Sequence, residues 1–225
     1  MYTDIEGFIS KAESNDIIAL AKSLEEVPSK YVTNHCIING ELVLEDHYDE
    51  KICKSSYFQL PSDHPINDKI WVIGSEFAKQ HKIDVNIFTW SACVKYTAGC
   101  HFTWHVDAFN ETDKLSCGIQ LSDSNDYEGG ELQFGEDLEG HSQTTSQDIY
   151  KDWELTQKSV TPVYTASKVL GTVSLYHSAM YHRVTPVISG CRWALLSWFR
   201  YCEDGNDPYY AGENESSDKI TWSDG

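Results

Sequence analysis

The sequence predicts a mainly β chain, with antiparallel strands closed into a barrel or sandwich and helices on its outside. Two observations carry this. Apolar residues recur at helical spacing only in the first part of the chain. From Ile87 onward, short strand-like runs follow one another, separated by clusters of Gly, Asn, Asp and Ser.

Taken in order, Ile17, Ile18, Ala21 and Leu24 mark one buried helix face, and Ser14 is the expected cap. A second helix is expected after Pro65, where Ile66, Ile70, Ile73 and Phe77 repeat the stripe. From Ile87 the period changes to two. Phe88, Trp90, Ala92, Val94 and Tyr96 fall on one face, and Ile87, Thr89, Ser91, Cys93 and Lys95 on the other. Further strands are expected over 115–121, 131–134, 169–176, 182–188 and 192–201, with a turn at Ser189 and Gly190. A polar segment at about 135–165 exceeds any ordinary hairpin connection and reads as a lid or solvated insertion. The expected organisation is therefore a helical and connecting region at 1–86, a β core at 87–201 carrying that insertion, and an acidic tail at 202–225 with Tyr209, Tyr210 and Trp222. All three form one structural domain.

The 225 residues include 17 basic and 35 acidic side chains, a net charge of −18. So negative a surface excludes a nucleic-acid partner held through its phosphates. Hydrophobic residues at 40% and aromatics at 12% are too rich for a disordered chain. The seven cysteines form no CxxC pair, which fits a reducing cytoplasm. Neither a basic-then-apolar leader nor an apolar run long enough to cross a bilayer is present, so a soluble chain with no membrane partner is expected.

Chemistry concentrates in two separate segments. In HFTWHVDAF, His105 and Asp107 stand two apart and would share a face in a strand, although HxD alone is weak evidence. In YHRVTPVISGCRWALLSWF, His182 is followed by Arg192 entering a strongly apolar run. A guanidinium there needs an anion opposite it, either a structural Asp or Glu or a small carboxylate ligand. Two histidines and one carboxylate with open positions on the opposite face form the donor set of mononuclear non-haem Fe(II) oxygenases. Of the other histidines, His101 could line a substrate mouth. His141 and His177 read as solvent-facing or structural.

The stretch 88–199 resembles the 2-oxoglutarate and Fe(II)-dependent oxygenase superfamily, in its prolyl 4-hydroxylase-like branch. The resemblance rests on an ordered series: Tyr96 and Gly99 ahead of His105 and Asp107, DYEGGEL at 126–132, the run 171–176, and HRVTPVISGCR with its arginine ten positions after the histidine. It implies a double-stranded β-helix, a cupin-like jelly roll, with flanking N-terminal α-helices. It also implies iron held by His105, Asp107 and His182, and Arg192 on the distal carboxylate of 2-oxoglutarate. Tyr96, Gln120 and Trp198 fall where the family contacts that cosubstrate. The implied cofactors are Fe(II), 2-oxoglutarate and O2, and ascorbate is left open.

Three features depart from the family pattern. ASKVLGTVSLY lacks the usual proline before Gly171 and the aromatic at about 175, the insertion is long, and Gln120 replaces a tyrosine. Asp107 argues for hydroxylation over halogenation, and Trp198 stands where nucleic-acid demethylating relatives carry a second arginine. The implied substrate is a prolyl residue in a peptide or protein, neutral or basic to suit the charge. Hydroxylation of another amino acid or a small metabolite remains open. The competing classes are a non-catalytic jelly-roll module that binds a metal or small acid, and a zinc hydrolase, which gives Arg192 no purpose.

Overall fold

The computed structural model describes residues 1–28, 32–38, 41–47, 53–108, 111–138 and 153–203. In chain order they form β1 (Tyr2–Ile5), α1 (Lys11–Ala21), β2 (Val27–Pro28), β3 (Val32–Ile38), β4 (Glu41–His47), β5 (Cys53–Lys54), β6 (Ser56–Gln59), α2 (Ile66–His81), β7 (Ile87–Thr97), β8 (His101–His105), β9 (Asp113–Gln120), β10 (Tyr127–Gly129), β11 (Leu132–Asp137), α3 (Trp153–Ser159), β12 (Val160–Thr165), β13 (Val173–His177), β14 (His182–Val184) and β15 (Val187–Arg200). The acidic tail beyond residue 203 and His141 lie outside the described residues.

Both expected helices form, but α1 starts earlier than its apolar stripe suggests. Its cap is Ser10, not Ser14. Ser10 Oγ accepts from the Glu13 amide and the Glu13 carboxylate accepts from the Ser10 amide, a reciprocal box that satisfies two orphan donors. Ser14 instead lies on the buried face, where its hydroxyl donates to Leu121 O at 2.5 Å. Glu13 also pairs with Lys69 of α2, tying the two helices together. No helix among the described residues is long and apolar enough to cross a membrane.

Strand alternation builds the two layers. One sheet runs β1-β13-β9-β15-β7-β6-β2, with β10 added to β15, and the other runs β12-β11-β14-β8-β5. Strands β3 and β4 pair with each other. Every pairing is antiparallel, and the architecture is the expected mainly β jelly roll. On the larger sheet Cys93, Leu115, Cys117, Ile119, Val173, Leu175 and Leu195 point towards the helices and bury with Ile17, Ile70 and Phe77. Their neighbours Tyr96, Gly118, Gln120, Ser174, Tyr176, Arg192, Ala194 and Leu196 line an interior cavity together with side chains of the second sheet. A period of two therefore separates packing face from cavity face along four central strands.

Three deviations from the expected strands have local causes. Phe88 packs on the helix side, edge-on to Phe199 at 5.4 Å. In the pairing of β7 with β15, Ser197 meets Ser91 and Phe199 meets Phe88. Three residues of β7 thus span two of β15, and the extra residue flips the alternation. Strand β13 begins at Val173, later than expected, because Gly171 turns at φ +81 against the Ile9 carbonyl, where a Cβ would lie 2.1 Å from the oxygen. The expected strand over 182–188 breaks at Thr185 and Pro186, and β15 then runs unbroken through Ser189 and Gly190, where a turn had been expected. Gly190, at φ +78, lets Asp126 O approach there.

Strands β1, β2, β5 and β6 are two to four residues long, too short for alternation to declare itself; β1, β2 and β5 are edge strands and β6 joins β2 to β7. Part of the expected polar insertion is regular structure, with α3 and β12 closing the outer edge of the second sheet.

Candidate active site

The remote histidine reaches the HxD segment through strand register. Strand β14 lies between β11 and β8, and His182 stands directly opposite His105, with ring centroids 4.1 Å apart. Strand β8 ends at His105, so Asp107 sits just beyond it in a turn. Its amide and that of Ala108 both donate to Ser178 O, which returns the carboxylate to the histidines. Asp107 Oδ1 is 3.6 Å from Nε2 of His105 and 3.6 Å from Nε2 of His182. One ligand atom from each residue lies within 4.8 Å of the others.

Tautomer and charge suit a metal. Nδ1 of His105 lies 2.8 Å from Thr103 O, and Nδ1 of His182 lies 2.9 Å from Met180 O. A carbonyl can only accept, so both Nδ1 atoms carry the proton and both Nε2 lone pairs face the shared centre. Burial, and then the neighbouring His182, push the His105 imidazole down to about 3, so it is neutral at ordinary pH. Burial alone would raise the Asp107 carboxyl, but His182 and His105 beside it hold it well below the ordinary carboxylate range. The Tyr176 hydroxyl donates to Asp107 Oδ2 at 3.3 Å.

Arg192 lines the same cavity from the larger sheet. It stands opposite Tyr96 in the β15–β7 register, with its guanidinium 5.3 Å from the centroid of that ring. The side chain is buried, its Nε has no hydrogen-bond partner, and no Asp or Glu is paired with it among the described residues. The structural-salt-bridge alternative therefore has no partner there. A buried cation of this kind is costly unless an anion enters opposite it. Gly130, at φ +58, keeps room for the Arg192 stem, since a Cβ there would lie 3.1 Å from Cδ.

The remaining expected residues divide. Tyr96 is buried in the cavity wall, and burial pushes its hydroxyl well up. Trp198 lines the cavity and packs on Trp90 at 4.7 Å. Gln120 lines the cavity too, but its amide nitrogen is committed to Ser122 O at 3.0 Å and to the Tyr127 hydroxyl at 2.9 Å. Arg192 draws the pKa of that hydroxyl down against the rise that burial imposes, so Gln120 and the guanidinium both act on Tyr127. His101 is outside the cavity lining, and Nδ1 of His177 accepts from the Ala179 amide in the turn after β13.

Sequence reasoning missed Tyr57, Tyr127, Lys168 and Tyr176, all of which line the cavity. Tyr176 had a signal, since Ser174 and Tyr176 alternate with the apolar Val173 and Leu175. Tyr127 and Lys168 come from a three-residue strand and a loop, where no period exists to read.

Residues 91–200 match the model of the 2OG-Fe(II) oxygenase superfamily. The His-Asp-His cluster and Arg192 both fall inside the matched segment. Over 105 residues the chain is 34% identical to a PKHD-type hydroxylase of Synechococcus sp., a match spanning 45% of this chain and 37% of that protein. The chain thus covers little more than a third of the curated relative. Among solved structures, a Pseudomonas putida prolyl-4-hydroxylase superposes with a TM-score of 0.61 at 14% identity, covering 89% of this chain and 92% of that one. A viral collagen prolyl hydroxylase from Paramecium bursaria Chlorella virus-1 gives 0.57 at 19% identity, over 89% and 96%. A Trichoplax adhaerens prolyl hydroxylase in complex with a hypoxia inducible factor peptide fragment gives 0.56 at 14%, over 88% and 84%. At these identities the likeness is one of fold.

Proposed function

We propose that the chain is a 2-oxoglutarate- and Fe(II)-dependent dioxygenase that hydroxylates an unactivated carbon, with a prolyl residue of a peptide or protein as substrate. The observation that carries this reading is one cavity holding both a His-Asp-His cluster with its lone pairs convergent and a buried arginine lacking a carboxylate partner. The residues present fit the implied groups. His105, Asp107 and His182 would hold the metal through two imidazole nitrogens and one carboxylate oxygen, a donor set suited to Fe(II) with open positions. Arg192 would hold the distal carboxylate of 2-oxoglutarate.

When bound, the iron and cosubstrate supply oxidative decarboxylation to succinate and carbon dioxide, coupled to delivery of one oxygen atom from O2 to a C–H bond. The protein's part is orientation and exclusion of water. The carbonyls of Thr103 and Met180 fix both imidazole planes, and Tyr176 holds the Asp107 oxygen that faces away from the histidines. Phe102, Leu132, Val184 and Leu196 give the cavity an apolar wall beside its polar groups. The prolyl assignment draws on the hydroxylase relative and the prolyl hydroxylase neighbours, and the charge of −18 favours a neutral or basic peptide.

The test is turnover. With Fe(II), 2-oxoglutarate and O2, proline-containing peptides should gain one oxygen atom by mass spectrometry, with one succinate formed per hydroxylation. His105→Ala, Asp107→Ala and His182→Ala should each abolish both products. Hydroxylation of a free amino acid or small metabolite, with peptides untouched, would overturn the prolyl reading. Absence of succinate with every candidate would overturn the enzymatic one.

A further inference from the structure

We infer that Lys168 is a second cation of the keto-acid pocket and selects a dicarboxylic cosubstrate over a monocarboxylic one. The inference rests on the proposed cosubstrate reading and deepens it.

Lys168 lies in the loop between β12 and β13, outside every motif that marks the site in the sequence, and it lines the same cavity as Arg192. Its Nζ donates to Gly129 O at 3.1 Å and lies 4.4 Å from the centroid of the Tyr127 ring. The hydroxyl of that same ring accepts from Gln120, and Arg192 lines the cavity beside it. The two cations therefore share one cavity with Tyr127, Lys168 lying over the face of its ring. Neither is paired with an Asp or Glu among the described residues. Two cations gathered in one half-buried pocket repel each other, and an entering carboxylate removes that cost.

The loop that carries Lys168 is fixed from behind. Asp4 of β1 accepts from the Ser167 amide at 2.7 Å, the Tyr164 hydroxyl at 2.8 Å and the Ser174 hydroxyl at 2.7 Å. Glu6 accepts from the Ser167 hydroxyl at 2.9 Å. These acids consume the donors of the neighbouring residues, leaving the Lys168 ammonium with a carbonyl and a ring face as its partners among the described residues. Both are weaker for a cation than a carboxylate, so an arriving anion can recruit it.

The experiment is anaerobic titration of the Fe(II)-loaded full chain with 2-oxoglutarate and, separately, with 2-oxopentanoate, which has the same keto-acid head but no distal carboxylate. Lys168→Met should weaken 2-oxoglutarate binding about tenfold, leave 2-oxopentanoate unchanged and flatten the salt dependence of the former. Lys168→Arg should restore most of the loss, and Lys168→Gln serves as a second neutral variant if the methionine variant folds poorly. Equal weakening of both ligands would make Lys168 a structural clamp of its loop, and no change for 2-oxoglutarate would remove it from the pocket; either result overturns the inference. Failure of the wild-type chain to bind 2-oxoglutarate would instead overturn the cosubstrate reading itself, and Lys168 with it.

Discussion

Arg192 and Arg200 lie on the same strand, and both are buried, at 6% and 8% exposure. Arg200 donates through Nε to Asp113 at 2.5 Å, whereas Nε of Arg192 has no partner. Their substitutions should therefore diverge. Asp113→Ala strands a buried cation and should cost about 3–5 kcal/mol in urea unfolding. Arg192→Met removes a cation that no Asp or Glu among the described residues neutralises. It should cost less than about 1 kcal/mol or stabilise the fold, while 2-oxoglutarate binding is lost. His105 makes a second prediction at this scale. The unfolded chain takes up a proton near pH 6.5 that the folded imidazole takes up only near 3. Lowering the pH through that window thus favours the unfolded state. The Tm of the metal-free protein should fall from pH 6.5 towards 4, and His105→Asn should flatten this limb. The sequence made these residues visible because each is chemically out of place for its surroundings: an HxD pair, and an arginine in an apolar run. It could not say whether Arg192 had a partner, since that depends on which strands flank β15.

At the scale of elements, the strand that carries His105 is held by a helix that the sequence showed only as part of a polar insertion. Gln157 of α3 accepts from the Trp104 amide and donates to the Trp104 carbonyl, both at 3.0 Å, one residue before His105. Its side chain thus completes the pairing of β8 beyond the reach of β5, which meets only Phe102 and His101. Gln157→Ala leaves both backbone groups unpaired and should cost about 1–3 kcal/mol in unfolding, with weaker metal binding because His105 loses its support. Helix α2 approaches the larger sheet at Gly74, where a Cβ would lie 2.2 Å from the Phe199 ring. That ring is fully buried and cannot yield, so Gly74→Ala should destabilise by about 1–3 kcal/mol despite the better helix propensity of alanine. The two long helices and the central strands were legible because their apolar period repeats. Ser10 as cap, the short edge strands and the flip at Phe88 were not. Each depends on a single residue or a bulge, and neither produces a period.

Across the whole molecule, alternation on β7, β9, β13 and β15 separates an apolar face beneath the helices from a face that gathers tyrosines, Gln120 and Arg192 inside the jelly roll. The second sheet then brings His105 and His182 into register from 77 positions apart (182 − 105). The ordered motifs made this pairing readable, because their spacing belongs to a fold whose register fixes who meets whom. Tyr57 and Lys168 complete the same cavity from segments with no such order, and Tyr127 does so from within the DYEGGEL motif. Together these parts would form one site for a metal and a keto acid. The direct measurement is an anaerobic absorption titration, adding Fe(II) and then 2-oxoglutarate to the wild-type chain and to Arg192→Met and His182→Ala. A visible charge-transfer band saturating at one equivalent of each in the wild type, displaced to much higher 2-oxoglutarate in Arg192→Met and absent from His182→Ala, is the predicted result. A band of unchanged strength and midpoint in both variants, or none in the wild type, would contradict it.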